Sequence, residues 1–413
     1  MGENRVVLLS SLVGRPVRGS GGDPIGKLHD VVVRLDEPAP PIVVGIVVCT
    51  VGRREVFIPI DEVATMDDRG VALRTSRIDV RPFVRRPGEI LLNKDLLDTK
   101  VIDLTRNRVA RANDLEIDRV RDGWQVTAVD VSGAALAARI GLTRWFRGSR
   151  RLVPWDQIDV FASQIPVGQP GVRHAKLAAL HPGDLAQIMD EVAAPQAREI
   201  VAALDEARAA DAVEDIDPKL AVSVVGGVNP EQAADILEEM GDDAAADVLG
   251  DLPPDEAEAI LRRMDPEDAE AVRTLMSYPD NTAGGLMTTE VVTLPGPTTV
   301  DEAMAHLRNA DWVPDPLPAI YLLDDESRLA GIVPLRELVL ADPAATLQSI
   351  ATKPAGVCRP DVSAIEAARL IARYNLVALP VEDESGVFLG VVTIDDALDF
   401  LINQRRRRSG LFA

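Results

Sequence analysis

The sequence predicts a multi-domain α+β chain: β-rich modules first, an all-α array next, and a duplicated α/β unit last. Three observations carry this reading. Residues 8–162 run in short alternating apolar and polar stretches broken by glycines. Residues 172–276 are punctuated by prolines at a fixed interval, and residues 280–404 carry one helix–strand–strand–helix order twice. At 413 residues the chain exceeds one ordinary core, and its 46% hydrophobic content is that of a globular protein.

The β-rich part repeats internally. Residues 57–63 and 152–158 share one pattern: two apolar residues, proline, an apolar residue, aspartate, any residue, an apolar residue. Segments 12–17 and 22–28 flank an expected hairpin, with a strand over 31–35 after it. Glycines supply positive φ at such turns, and short strands of this kind suggest small barrels. Two modules are expected, 1–78 and a more diverged 79–165 with an Ala-rich insertion at 134–140. The two prolines and three arginines of 81–88 form the linker between them.

In the array, Pro182, Pro218, Pro230, Pro254 and Pro266 fall on one 12-residue grid, with Pro195 one place off it. Asp217, Asn229 and Asp265 directly precede their prolines, and Asp or Asn at the N-cap followed by Pro is a helix start. Helices of eight to ten residues are marginal alone and must stack on their neighbours, so 172–276 is predicted as a helical superhelix. In the last part, the first unit (280–345) has helices at 300–309 and 336–340 around strands at 319–323 and 331–333. The second (346–404) has helices at 363–374 and 395–402 around strands at 377–381 and 388–393.

Composition excludes several classes. The longest apolar run, 42–51, is too short to span a bilayer and reads as a buried strand. No signal peptide opens the chain. Cys49 and Cys358 fall in separate predicted domains and fit a reducing setting. The net charge is −22; residues 205–270 hold 21 acidic and four basic residues, whereas 77–151 hold 16 basic and ten acidic. An acidic middle argues against nucleic acid as partner and suits either cation binding or solubility. No catalytic triad, P-loop or HExxH occurs, and the four histidines are scattered, so no enzyme is expected.

Between array and duplicated unit lies YPDNTAGGLMTTE, residues 278–290. With the grid before it and the repeat after it, this resembles the cytosolic half of MgtE-type magnesium transporters: a helical N domain, a linker of the form YPxxxAGGLMT, and paired CBS domains. The N-terminal modules resemble a tandem of PRC-barrels. In the transporter family a connecting helix then enters the pore, whereas this sequence stops at Ala413. The resemblance therefore implies a magnesium-responsive sensor without its channel, cytoplasmic or peripheral to the inner face of the membrane, and homodimeric through the CBS domains. An unidentified protein partner is expected through the PRC-barrel modules.

Asp243 and Asp247 lie four residues apart in a predicted helix, so their carboxylates share a face. A solvated acidic face accounts for that spacing equally well. The resemblance implies instead that both help hold Mg2+ together with Asp396, the second aspartate of the GxVTxDD run, in a hard oxygen site completed by water. It implies a further metal position at Asp399, whose companion position is Asn375, an amide that brings no charge. Gly390, Val391, Val392, Thr393 and Asp396 also match the run by which CBS pairs bind adenine nucleotides, with the hydroxyl toward phosphate and the carboxylate toward ribose. The alternative is that the run only shapes a strand-to-helix turn. The first unit departs from it, with Pro334 and Glu337 in the hydroxyl and carboxylate places. The basic tail, 405–413, opens with Arg405 to Arg408; these suit anionic lipid at about 1 kcal/mol each or a solvated helix C-terminus. Two rivals to the sensor stand beside it: an adenine-nucleotide sensor, and a scaffold that binds no small ligand.

Overall fold

The computed structural model describes residues 6–35, 40–50, 52–79, 81–120, 123–139, 149–161, 176–310, 313–314 and 317–409, with side chains to 402. The chain divides into two compact units, Met1–Leu220 and Ala221–Ala413.

The first unit opens with a nearly closed barrel. Its sheet runs Val7–Leu8, Asp114–Val120, Gly123–Asp130, Ile42–Thr50, Pro24–Arg34, Pro16–Arg18, Gly70–Leu73, Val63–Asp67. Leu152–Pro154, Glu55–Pro59 and Glu89–Leu91 join as side branches. β-Branched residues fill its longest strands: Val31, Val32, Val33, Ile46, Val47 and Val48 are all buried. The two expected modules share this sheet and one apolar cluster, to which Leu9, Val31 and Ile46 contribute from the first and Leu92, Leu115 and Val129 from the second. The repeated sequence pattern is a repeated structure. Glu55–Pro59, a 3-10 turn Ile60–Glu62 and Val63–Asp67 correspond to Leu152–Pro154, a 3-10 turn Trp155–Gln157 and Ile158–Val160. Two short helices, α1 (Leu9–Leu12) and α2 (Gly133–Arg139), also lie in this part; α2 is the Ala-rich insertion. Arg139 fixes it to the barrel by a bidentate pair with Asp98 at 2.7 and 2.8 Å.

The array comprises α3 (Pro182–Asp190), α4 (Ala194–Val201), α5 (Glu206–Glu214), α6 (Pro218–Val225), α7 (Pro230–Glu238), α8 (Asp242–Gly250), α9 (Pro254–Leu261) and α10 (Pro266–Leu275). Every one starts on the 12-residue grid, including the three whose first residue is not proline. Those three solve the N-terminus differently. Asp205 accepts from Arg208 N at 3.0 Å before α5, and the Gln196 side chain accepts from Ala193 N at 3.2 Å before α4. Before α8, Gly241 offers no side chain, and Asp242 and Asp243 face the positive helix end. Each helix buries one apolar stripe, in α7 Ala233, Ala234, Ile236 and Leu237, where an Ile or Leu contributes about 1.5–3 kcal/mol. In the first unit α3 packs on α5; in the second, α7 packs on α9 and α8 on α10.

The remainder of the second unit is two α/β halves. In one, Val292–Thr293, Ala319–Leu323 and Leu329–Pro334 form a sheet beside α11 (Val300–Asn309), α12 (Leu335–Leu340) and α13 (Leu347–Ile350). In the other, Ala378–Glu382 and Phe388–Thr393 pair beside α14 (Ala364–Tyr374) and α15 (Ile394–Ser409). The halves share a core in which Tyr321 stacks on Phe388 at 5.3 Å. Arg405 to Arg408 fall in the last turns of α15, where side chains lie outside the described residues. Among the described residues no helix is long and apolar enough to cross a membrane.

Candidate metal and nucleotide site

The Thr393–Asp396 pair sits where the strand Phe388–Thr393 turns into α15. The Thr393 hydroxyl donates to the Asp396 carboxylate, and Asp396 N donates back to the hydroxyl at 3.3 Å. This reciprocal bond closes the first turn of the helix. Burial pushes the Asp396 carboxyl up to about 6, against the lowering effect of Thr393, and the nearby Asp395 and Asp399 push the same way. Asp396 is half-buried and crowded by like charge. Asp399 lies exposed on the same helix.

Gly390 has a steric reason of its own. A β-carbon there would lie 2.4 Å from the Thr288 carbonyl oxygen, because the linker backbone runs against it. Thr288 and Val391 exchange both backbone hydrogen bonds, at 2.9 and 3.0 Å. The next linker residue, Thr289, donates its hydroxyl to Asp242 at the start of α8. A continuous set of bonds thus leads from the first turn of α8 through the linker to the Thr393–Asp396 turn.

Asp243 and Asp247 lie on α8 as expected, Asp243 half-buried and Asp247 exposed. Among the described residues no group of three or more His, Cys, Asp or Glu side chains is arranged to hold a metal ion. Sequence reasoning passed over Asp242, Thr289 and Asp268. Burial raises the Asp242 carboxyl against the Thr289 bond, and burial followed by Asp265, Asp242 and Glu267 raises Asp268 on α10. The signal was present: Asp242 occupies the grid position that begins a helix, and Thr289 directly follows the linker motif.

Asn375 is the C-cap of α14, in the left-handed region at φ 51, with its N–H on the Ile371 carbonyl. Asparagine is the non-glycine residue best suited to that place, which explains the amide where the resemblance implies a carboxylate. In the first half, Pro334 is the N-cap of α12 and Glu337 pairs with Arg336 at 3.0 Å, so no hydroxyl–carboxylate pair forms there.

Comparison with known proteins agrees with this architecture. Residues 180–281 match the MgtE intracellular N domain, and residues 283–343 and 347–403 match the CBS domain. The magnesium transporter MgtE of Thermus thermophilus is 40% identical over 127 residues, 31% of this chain and 28% of that protein. That of Bacillus subtilis is 32% identical over 130 residues, 32% of this chain and 29% of that protein. The chain therefore spans less than a third of the curated relatives it matches. A crystal structure of the cytosolic domain of the Mg2+ channel MgtE in complex with ATP is similar at TM-score 0.52 and 33% identity, covering 55% of this chain and 92% of that one. The soluble part of a magnesium transporter is similar at TM-score 0.51 and 27% identity, covering 56% and 91%.

Proposed function

We propose that this chain, whose residues 180–403 are an MgtE N domain followed by a CBS pair, is a magnesium-responsive regulatory protein. Mg2+ would bridge Asp243 and Asp247 of α8 to Asp396 of α15, and the barrel would relay the change to a protein partner. The observation that carries this is the run of bonds from Asp242 through Thr289 and Thr288–Val391 to Thr393–Asp396. It ties the carboxylate-bearing end of α8 to the segment that holds Asp396. The mechanism is electrostatic. Without a cation the carboxylates of α8 and α15 repel, and Asp396 is held toward its neutral form. A divalent ion favours the ionised form and draws the two elements together. Asp399 is then a second, weaker position, since Asn375 brings it no charge.

Exposed apolar residues supply a surface for homodimerisation: Ile394, Leu398 and Ile402 at four-residue spacing on α15, and Val339 and Leu340 on α12. The functional setting we propose is cytoplasmic, with the arginines 405–408 available to an anionic membrane face. Limited proteolysis at 276–290 tests the sensor. Millimolar Mg2+ is expected to protect this stretch, and Asp247→Asn and Asp396→Asn each to abolish the protection. Full protection in both variants would sink the bridging site.

A second reading, adenine-nucleotide sensing, has its own observation. Val377 is 52% exposed, and its carbonyl accepts from Ile394 N at 2.9 Å, beside Thr393. An apolar surface next to a hydroxyl–carboxylate pair suits a base and its ribose. Calorimetry with ATP, ADP and AMP in EDTA separates the two. Metal-free binding that is lost in Thr393→Val favours the nucleotide; no heat without Mg2+ favours the cation.

A further inference from the structure

The two halves of the N-terminal barrel exchange their first strands. Val7–Leu8 of the first half pairs antiparallel with Asp114–Val120 of the second, Leu8 opposite Glu116. Glu89–Leu91 of the second half pairs antiparallel with Pro24–Arg34 of the first, Leu91 opposite Val32. A helical turn follows each donated strand, Leu9–Leu12 in one and Leu92–Leu96 in the other. The unpaired N–H groups that open each turn are met by an aspartate of the opposite half. Asp114 accepts from the Ser10 amide at 3.0 Å and the Ser10 hydroxyl at 2.5 Å. Asp30 accepts from the amides of Asn93 at 2.8 Å and Lys94 at 3.0 Å.

The correspondence extends further. Each carboxylate is 1% exposed and also accepts the amide of the residue after it, Val31 or Leu115. Gly14 and Arg15 exchange backbone bonds with Leu28 as Asp98 and Thr99 do with Ala112, and Gly14 and Asp98 both have positive φ. A half standing alone would lack the strand beside its aspartate and would bury a carboxylate with two of its donors gone, which is costly.

We propose that the two halves form one interlocked body. Residues 7–12 of the first and 89–96 of the second are reciprocal recognition elements, each fitted to the aspartate-bearing strand of the other half. The linker at 81–88 lies on the first half as well, with Phe83 N donating to the Glu55 carbonyl at 2.9 Å and the Phe83 ring stacked on Phe57, but the exchanged strands are what interlock the halves. Any partner of this barrel therefore meets a single rigid body with two related faces.

A protease site inserted after Asp79 in the full chain, cut under native conditions, tests this. The 1–79 piece is expected to remain with the remainder through size-exclusion chromatography and to leave only at urea concentrations that unfold the barrel. Release of that piece on cutting overturns the proposal. Hydrogen exchange on the uncut chain gives an independent arm. Asp114→Asn should speed exchange at residues 10–12 by about tenfold or more, and Asp30→Asn should do the same at 93–96. Faster exchange confined to the half that carries the substitution contradicts the exchange of strands.

Discussion

The barrel and the helical array use carboxylates in opposite ways. Among the described residues, the eight buried carboxylates all lie between Asp30 and Asp159, in the barrel. The array holds 21 acids in residues 205–270 and buries none of those described. In the barrel most of these groups have fixed donors: Asp30 has three amides, Asp95 has Arg85 and Leu91 N, and Asp103 has Arg151 and Thr105. In the array, acids cap helices or stand on exposed faces, as Asp265 does for Glu267 N at 3.0 Å. A carboxylate saturated by amides holds the fold. The acids on the array's helices are the ones that the proposed cation site draws on.

The largest expected effect breaks the barrel side of that contrast. Asp30→Ala leaves the amides of Val31, Asn93 and Lys94 buried without an acceptor and should cost about 3–5 kcal/mol in urea unfolding. Glu231→Ala, in the first turn of α7 and exposed, should stay within about 0.5 kcal/mol. Equal losses at the two positions would erase the distinction.

Titration sharpens it next. Burial holds the Asp30 carboxyl up at about 6 despite its three amide donors. A raised acid keeps a proton in the fold that the unfolded chain has released. Its contribution is therefore full below about pH 4 and is lost as pH rises through 6, about 3 kcal/mol in all. Urea midpoints between pH 4 and 6.5 should show this slope in the native chain and a flatter one in Asp30→Asn. Asp396, also raised to about 6, titrates in the same window. Mg2+ needs its ionised form, so magnesium-dependent protection should fade below pH 6, in the opposite sense to the Asp30 contribution, which is lost as pH rises through 6.

How much of this was legible beforehand depends on the range of the interaction. The array was readable because Pro at the first helical position, preceded by Asp or Asn in α6, α7 and α10, is a local signal; α4 has its proline one place later, and α5 and α8 have none. The CBS pair was readable because its whole order is repeated. The interlocking of the barrel was not: pairing Leu8 with Glu116 rather than within its own half is a long-range choice that alternation does not encode. The same holds at the candidate site. Helical spacing put Asp243 and Asp247 on one helix, but the Asp242–Thr289 bond depends on where α8 meets the linker, which no local pattern specifies.

The smallest expected effects concern the second metal position. Asp399→Asn should change Mg2+ binding little, whereas Asn375→Asp should add binding and tighten a dimer. The added carboxylate must still adopt φ 51, at a cost of about 1 kcal/mol or less. A marked loss in Asp399→Asn, read by equilibrium dialysis, would mean that position already holds a cation.

The most direct measurement is a calorimetric titration of Mg2+ into the EDTA-treated full chain, run beside the Asp243→Asn, Asp247→Asn and Asp396→Asn variants. Saturable binding at millimolar Mg2+ in the native chain, lost in every variant, is the predicted result. Binding that survives Asp396→Asn, or a native chain that takes up no Mg2+, would contradict a cation shared between α8 and α15.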